Sequence, residues 1–315
     1  MNAVLATPPL ALSTMYLQRW PAEDGLFPFL AAARRMGFAA IELSHILPAD
    51  QLQGLEDAHL PVSTLHHPCP RPPGWRDEDA LTSADEGARA RAAAALAATL
   101  ATAHRLGAGT VVLHLGQLED DAQETSRRLR FELEARQRAG STGSAAYQLA
   151  LRRFIAWRDE RQPAALARAW SALQPLLDQA RRSGIRLGLE TGYHPHDLPT
   201  PAGMARLLGA AEAEGWRDTL GAWLDTGHAG AQDLLGTARW ADWWAAVDGR
   251  WVGVHLHDHE GLRDHLLPGM GVVDFSSIRS RLPLDAAATL EVDWYFGEDE
   301  LAQSLARLAG WGWPQ

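Results

Sequence analysis

Short apolar runs alternate with longer helix-forming stretches along this chain, and several of the runs end in a polar side chain. Each run is bounded by glycine or by a charged residue, a pattern that is typical of buried parallel strands. The pattern predicts strands over Leu10–Met15, Ala39–Ser44, Val62–His66, Thr110–Leu115, Arg186–Glu190, Gly221–Asp225, Trp251–His257 and Ala287–Val292. Strands that alternate with helices in this way predict an α/β protein with the (β/α)8 barrel architecture.

Helices are expected between these strands, over Asp24–Met36, Ala49–Asp57, Ser83–Leu106, Pro201–Glu214, Ala231–Asp248 and Glu298–Leu308. The segment from Glu119 to Arg182 is too long for one crossover, so it predicts a helical insertion after strand 4. Breaks are expected there near Gly140–Gly143 and at Pro163, because proline removes a helical hydrogen bond. The chain has no internal repeat, and its length suits a single TIM-barrel domain over residues 1–315.

Side chains able to bind a metal stand at the ends of four predicted strands: Glu190, Asp225, His255 and Glu291. In a barrel of this kind the carboxyl ends of the strands meet at one rim, where active sites lie. A core needs no such residues, and buried charges are costly unless they are paired or bound to a metal. Asp225 and His228 can reach one ion, and Glu190 and Glu291 can face each other across the mouth. Opposed carboxylates around a cation suit proton removal next to a carbonyl.

Composition excludes several classes of function. The formal charge of −10 argues against a general nucleic-acid binder, which would present a basic field. The 29 basic residues are all arginine, so chemistry through a lysine Schiff base is excluded. A Walker-type phosphate loop needs a lysine and is excluded for the same reason.

The expected location is the cytoplasm. Cys69 is the only cysteine, so no disulfide can form within the chain. No apolar run is long enough to span a membrane. The first basic residue is Arg19, and no apolar core of the signal-peptide type precedes it.

Five motifs lie in order on strand ends or rim loops: Leu-Glu190-Thr, Leu-Asp225-Thr-Gly-His228, His255-Leu-His257-Asp258, Asp264-His265-Leu-Leu-Pro-Gly-Met-Gly271 and Leu-Glu291-Val. Through them the whole chain resembles the xylose isomerase-like TIM-barrel superfamily, which includes sugar isomerases, ketose 3-epimerases and apurinic-site endonucleases. The resemblance implies a metal site at Glu190, Asp225, His255 and Glu291, with the two glutamates exchanging protons with the substrate. It also implies a sugar substrate and a divalent metal. The mixed ligands suit Mn, Co or Zn better than Mg.

The endonuclease branch of this superfamily has further ligand positions. They fall here on His66, His114, His228 and His265, while Arg263 stands where that branch has an aspartate. These five residues are therefore candidates for additional metal or substrate contacts.

Neighbouring residues allow further expectations. We expect His257 and Asp258 to orient the ligands. Strand alternation lets only one of His66 and His67 face the site, and His66 is preferred. Glu42 is expected either to contact the substrate or to pair with an arginine. Three other histidines are expected at the surface or in the core: His45, His59 and His104.

Three functions compete. The leading hypothesis is a metal-dependent isomerase or epimerase that acts on a small sugar or sugar derivative and can form a homo-oligomer. The second is a phosphodiesterase of the apurinic-endonuclease type, which the extra histidines favour and the acidic charge and Arg263 oppose. The third is a non-catalytic barrel that binds a sugar, which has no need of the Glu190 and Glu291 pair.

Overall fold

Eight parallel strands form a closed ring in this computed structural model, which describes residues 8–52, 55 and 60–314. We number them β1 to β8 in chain order, and each pairs with its sequence neighbours, β8 closing on β1. Their bounds are Leu10–Ser13, Ala40–Leu43, Val62–His66, Thr110–Leu113, Arg186–Glu190, Leu220–Asp225, Trp251–Leu256 and Ala287–Leu290. The predicted (β/α)8 barrel is thus confirmed, with several strands shorter than expected.

Helices surround this ring. They are α1 to α9, over Phe27–Met36, Glu86–Leu106, Thr125–Arg138, Ala145–Arg182, Pro201–Ala213, Thr226–Leu234, Trp240–Val247, Phe275–Arg281 and Glu298–Gly310. The predicted helix over 231–248 is divided between α6 and α7, because Gly236 adopts a left-handed backbone conformation that ends α6. Of the helix predicted over 49–57, a 3-10 turn at Ala49–Leu52 is described. The remainder of it, apart from residue 55, lies outside the described residues, as does His59.

The predicted break at Pro163 is wrong. Helices α3 and α4 lie between β4 and β5, and α4 continues from Ala145 to Arg182 through both Pro163 and Pro175. An interior proline costs about 3 kcal/mol. Burial of one face of α4 between α2 and α5 offsets that cost, since Ala165, Ala169 and Leu173 are buried there. The break near Gly140 does occur, between α3 and α4.

Trp223 fills the inside of the barrel beneath the rim. It is fully buried and lies in one layer with Val112, Val252 and Ala287. Side chains alternate between the two faces of a strand, so Asp225, two residues further along β6, points into the same interior. The Trp223 ring centroid lies 5.0 Å from that of His255. The indole therefore forms an apolar floor under the strand-end residues.

The loop after β7 is ordered by a short antiparallel hairpin, Asp258–Glu260 with Arg263–Leu266, at the barrel mouth. A second core, formed by Leu129, Leu133 and Phe154 of α3 and α4 with Leu235, packs beside it. The tip of the hairpin, at Leu262, touches this core. Within the described residues, no helix has the length and apolar character that crossing a membrane requires.

Candidate active site

Four side chains from four neighbouring strands converge at the centre of the mouth. Glu190 ends β5, Asp225 ends β6, His255 lies on β7 and Glu291 follows β8. One ligand atom of each lies within 4.8 Å of the others, and all four residues are buried. His255 Nδ1 lies 2.8 Å from Glu190 Oε1 and 3.1 Å from Glu291 Oε2. We call this set, which unites the four metal ligands expected from the sequence, the carboxylate group.

Glu42 holds His255 from the other side. Both carboxylate oxygens of Glu42 lie 3.1 Å from His255 Nε2, and the hydroxyls of Thr64 and Thr289 donate to the same carboxylate. A single proton on Nε2 satisfies Glu42 and leaves the Nδ1 lone pair directed at Glu190. A carboxylate behind a histidine in this way fixes the tautomer of a metal ligand. Glu42 therefore pairs with a histidine, an alternative that the sequence analysis did not consider.

His66 and His114 meet the other oxygen of Glu190. Their Nε2 atoms lie 3.0 Å and 2.7 Å from Glu190 Oε2. His66 Nδ1 lies 3.1 Å from the backbone carbonyl of His67, which can only accept, so this nitrogen carries the proton. The His67 ring instead contacts Thr99. His66, rather than His67, faces the mouth.

In this region, the effect of neighbouring charges on each pKa is larger than the effect of burial. Burial alone would raise the pKa of the Glu190 carboxyl, but the imidazoles of His114 and His255 hold that pKa well below its usual value. Burial alone would lower the pKa of His255, but Glu291 and Glu42 hold it well above its usual value. Burial alone would also lower the pKa of His114, but the carboxylate of Glu190 raises it to about 9. Without a metal, protons on the imidazoles balance the buried carboxylates.

The donor set of the carboxylate group fits a divalent cation. It offers three carboxylates and one imidazole whose Nδ1 lone pair points at them. A cation placed among these atoms would replace the imidazole protons as the balancing charge, because histidine ligands bind metals in their neutral form. Mixed oxygen and nitrogen ligands suit Zn and Mn.

A second set of side chains, His228, His257 and His265, lies next to the first. We call it the histidine group. His257 Nδ1 accepts the backbone N–H of His265 at 2.9 Å, so its proton sits on Nε2 and is donated to Asp225, 2.8 Å away. Both nitrogens of His257 are thereby used within the protein. His257 orients Asp225 and has no lone pair left for a metal.

The other two members of the histidine group have more freedom. His228 Nδ1 donates to the backbone carbonyl of Thr191 at 2.9 Å, and its Nε2 lies 3.9 Å from an oxygen of Asp264. The His265 ring stacks on His257 with centroids 4.3 Å apart, and its Nδ1 lies 3.2 Å from Asp264. These contacts place Asp264 between two histidines.

Helix α6 packs closely against the hairpin through two glycines. A Cβ atom at Gly227 would lie 2.3 Å from the His257 ring, and one at Gly230 would lie 2.0 Å from His259 Nε2. Asp225 caps the start of the same helix, and its carboxylate accepts a hydrogen bond from the backbone N–H of His228 in the first turn. The start of α6 therefore fixes Asp225 and makes room for His257, which orients it.

Asp258 acts on the loop rather than on the ligands, contrary to expectation. Its carboxylate accepts hydrogen bonds from four backbone N–H groups, those of His259, Gly269, Gly271 and Val273. It is fully buried. Asp258 thus fixes the chain that follows the hairpin, while His257 alone of the pair contacts a member of the carboxylate group.

Arg263 also lies elsewhere than expected. Its guanidinium is exposed, donates to Tyr295 Oη at 2.6 Å and lies over the Tyr295 ring. The next residue, Asp264, faces the histidine group instead. His265 has a left-handed backbone conformation with φ 54°, which interrupts the alternation that would put Arg263 and His265 on one face. The structure places Arg263 against Tyr295 rather than at the carboxylate group.

A cavity of about 350 Å³ opens onto Glu190, and His45 and Trp75 are part of its wall. The sequence analysis assigned His45 to the surface or core. Its ring centroid lies 5.1 Å from that of His66, and its Nδ1 has no hydrogen-bond partner among the described residues. Burial, aided by His66, lowers the pKa of His45 to about 3. The signal was available, since His45 comes two residues after the end of β2 and His114 comes directly after the end of β4.

A barrel whose mouth holds carboxylate and imidazole ligands on successive strand ends defines a class of proteins suited to metal-dependent chemistry. The chain matches the family model described as xylose isomerase-like TIM barrel over residues 30–310, and it belongs to this family. The resemblance found in the sequence is thereby confirmed.

Solved structures share the fold at low identity. A D-tagatose 3-epimerase-like protein is 16% identical, with a TM-score of 0.65 and 96% of each chain covered. A D-psicose 3-epimerase with D-tagatose from Clostridium cellulolyticum H10 is 12% identical, with a TM-score of 0.65, 96% of this chain and 98% of the other covered. An IOLI protein with a bound zinc atom is 16% identical, with a TM-score of 0.64 and 96% of each chain covered. No curated protein sequence matches the chain.

Proposed function

We propose that this protein is a metal-dependent isomerase or epimerase of a sugar or sugar derivative, which moves a proton at a carbon next to a carbonyl. The observation that carries the proposal is the carboxylate group, in which Glu190 and Glu291 flank His255 Nδ1. The family and the neighbouring epimerase structures support this class of reaction.

Glu190, Asp225, His255 and Glu291 would hold the metal. A divalent cation held by them would polarise a carbonyl oxygen and so favour loss of a proton from the adjacent carbon. In an epimerisation one of the two glutamates takes that proton and the other returns one to the opposite face of the same carbon, whereas in an isomerisation a proton is returned to the neighbouring carbon. His257 holds Asp225, and Glu42 holds His255. Asp225 and His255 serve to bind the metal and to orient it.

Metal content tests the ligand assignment. Replacing Asp225 with alanine is expected to remove the bound metal, since it deletes a charged ligand. The alanine also loses the cap of α6, which costs about 1 kcal/mol. Asp225→Asn is the matched variant, because its amide oxygen can still accept the capping hydrogen bond. Metal bound in full by both variants would reject the assignment.

Solvent isotope exchange tests the reaction. In deuterated water, the sugar product is expected to carry deuterium at the carbon that changes configuration or oxidation level, because the glutamates exchange protons with solvent. Turnover with no deuterium in the product, and direct transfer of hydrogen between adjacent carbons, would exclude the proton-transfer pair. A hydride shift would then explain the turnover.

One observation favours a second candidate, a phosphodiesterase of the apurinic-endonuclease type. The described residues contain three groups whose geometry could hold a metal: the histidine group, the carboxylate group and the set of His66, Glu190 and His255, which shares two residues with the carboxylate group. Against it, His257 has no free lone pair. Metal stoichiometry and cleavage of DNA with an abasic site distinguish the candidates. More than one tightly bound metal together with cleavage would favour the phosphodiesterase.

A further inference from the structure

The cavity that opens onto Glu190 extends from the buried ligands to the protein surface. Its inner wall includes Glu190, His66 and His114, of which Glu190 is almost completely buried. Its outer wall is formed by the chain after β3, including Trp75 and the exposed Asp77. A volume of about 350 Å³ is at the lower end of the range for small-molecule sites, about 300 to 1,000 Å³.

The lining of this cavity carries negative charge and no arginine. Besides Glu190 it includes Asp77, Asp79 and Asp197. Asp79 is neutralised, since Arg91 donates to it at 2.7 Å and 2.9 Å. Asp77 makes no ion pair or hydrogen bond with any residue that the structure describes. His114 is paired with Glu190 at 2.7 Å, and although the chain has 29 arginines, none of them is among the described lining residues to bind a phosphate.

Polar and aromatic groups in the same wall suit hydroxyl groups. Gln117 contributes to the lining beside the carboxylate of Asp197. The ring of His45 is a further part of this wall. Trp75 is held edge-on against His67, with ring centroids 5.6 Å apart, and is partly buried. A fixed indole with nearby hydrogen-bond acceptors presents an apolar face and a polar edge, as a sugar ring does.

We propose that this cavity binds the end of the substrate remote from the reacting carbonyl, and that it selects a polyhydroxylated end without phosphate or carboxylate. The inference rests on the proposed function. The reacting end lies at the carboxylate group, where a metal can also attract anions, so selection against a remote anion depends on the outer wall. Asp77 repels a terminal phosphate, while its carboxylate accepts hydrogen bonds from hydroxyl groups.

Matched pairs of ligands test the selection. Free ketohexoses and their 6-phosphates share a reacting end and differ only at the remote end. Calorimetric titration of the metal-loaded full chain is expected to give at least about fivefold tighter binding of the free sugar, the effect of about 1 kcal/mol of repulsion. Tighter binding of the 6-phosphates, or no binding of either member, overturns the inference. Binding without any turnover would instead reject the proposed reaction and leave the selection intact.

A charge reversal at Asp77 tests the residue. Asp77→Arg is expected to improve binding of a 6-phosphate about fivefold and to weaken binding of the free sugar. Glu78→Arg is the matched control, since Glu78 is also exposed but does not line this cavity. An equal effect of the two substitutions would show that long-range charge, and not the cavity wall, decides.

A substitution at Trp75 tests the aromatic wall. Trp75→Ala is expected to raise KM for a turned-over sugar about fivefold to tenfold with little change in kcat, since it removes a contact made equally in ground and transition states. Trp75→Phe is expected to restore most of the loss. A fall in kcat with unchanged KM, or no rescue by phenylalanine in a folded variant, would contradict the role.

Discussion

The carboxylate group and the histidine group lie side by side in the same mouth, yet they differ in what their polar atoms already do. In the carboxylate group, His255 Nδ1 faces one oxygen of Glu190 and one oxygen of Glu291, and these three atoms can share only a proton or a cation. In the histidine group, His257 uses both nitrogens within the protein. The first arrangement needs a cation, whereas the second is already satisfied at its centre.

The difference teaches that residue type does not decide whether a histidine is a ligand. Its hydrogen-bond partners do, because they fix which nitrogen carries the proton. His255 is fixed by a carboxylate and His66 by a backbone carbonyl, and each turns a lone pair toward Glu190. His257 is fixed by a backbone N–H and turns a proton toward Asp225.

The largest expected effect comes from Glu291→Gln. The amide keeps the shape and one coordinating oxygen but cannot take a proton, so turnover should fall about a hundredfold to ten-thousandfold. Metal content and thermal stability should stay close to those of the wild type. Turnover within about tenfold of the wild type would mean that Glu291 is a ligand without a proton-transfer role.

His257→Ala separates orientation from coordination. Loss of the hydrogen bond to Asp225 should lower metal affinity about tenfold to a hundredfold, as is usual for a residue behind a ligand. His265→Ala is the comparison, since it removes the ring stacked on His257 but leaves that hydrogen bond in place. Equal losses of affinity in a competition with a chelator would contradict the distinction between the two histidines.

Removal of the metal should make stability depend on pH. In the metal-free protein the pKa of His114 is about 9 and that of His255 is also raised, above the unfolded value of about 6.5. Raised pKa values stabilise the fold below about pH 6.5, and this contribution is lost as the pH rises toward about 9.

Metal binding has the opposite dependence, because the metal competes with protons for the imidazoles. Melting temperatures of the metal-free and metal-loaded protein should therefore diverge with rising pH across this interval. A metal-free protein that becomes more stable as the pH rises would show that carboxylate repulsion is balanced in another way.

The smallest effect is expected for Arg263→Ala. Its guanidinium is exposed and contacts Tyr295, so the melting temperature should hardly change and KM should change by about twofold at most. Tyr295→Phe removes the same hydrogen bond and serves as the control. A rise in KM well above twofold for the arginine variant alone would restore the hypothesis that Arg263 contacts the substrate.

The sequence was sufficient for the barrel and for the carboxylate group because both follow from local patterns. A strand end is recognisable from an apolar run, and the barrel then brings strand ends together. Contacts between residues on opposite sides of the barrel could not be predicted from such local patterns. Glu42 and His255 are far apart in the chain, and nothing local shows that a histidine rather than an arginine lies opposite the glutamate.

Errors in the sequence analysis have similar causes. At Pro163 the local rule predicted a break, and tertiary packing of α4 overrode it. At Arg263 the position in the superfamily predicted a metal or substrate contact, whereas the guanidinium lies against Tyr295. Whether Asp258 orients ligands or a loop depends on backbone N–H groups more than ten residues away.

The close packing of α6 against the hairpin limits which relatives of this chain can carry the same site. Only hydrogen fits at positions 227 and 230, because a methyl group there would overlap the rings of His257 and His259. In a relative with alanine at position 227, the His257 ring would have to move away from α6. Its hydrogen bond to Asp225 would then be lost. A glycine at position 227 is thus required wherever His257 holds the candidate ligand Asp225 in this way.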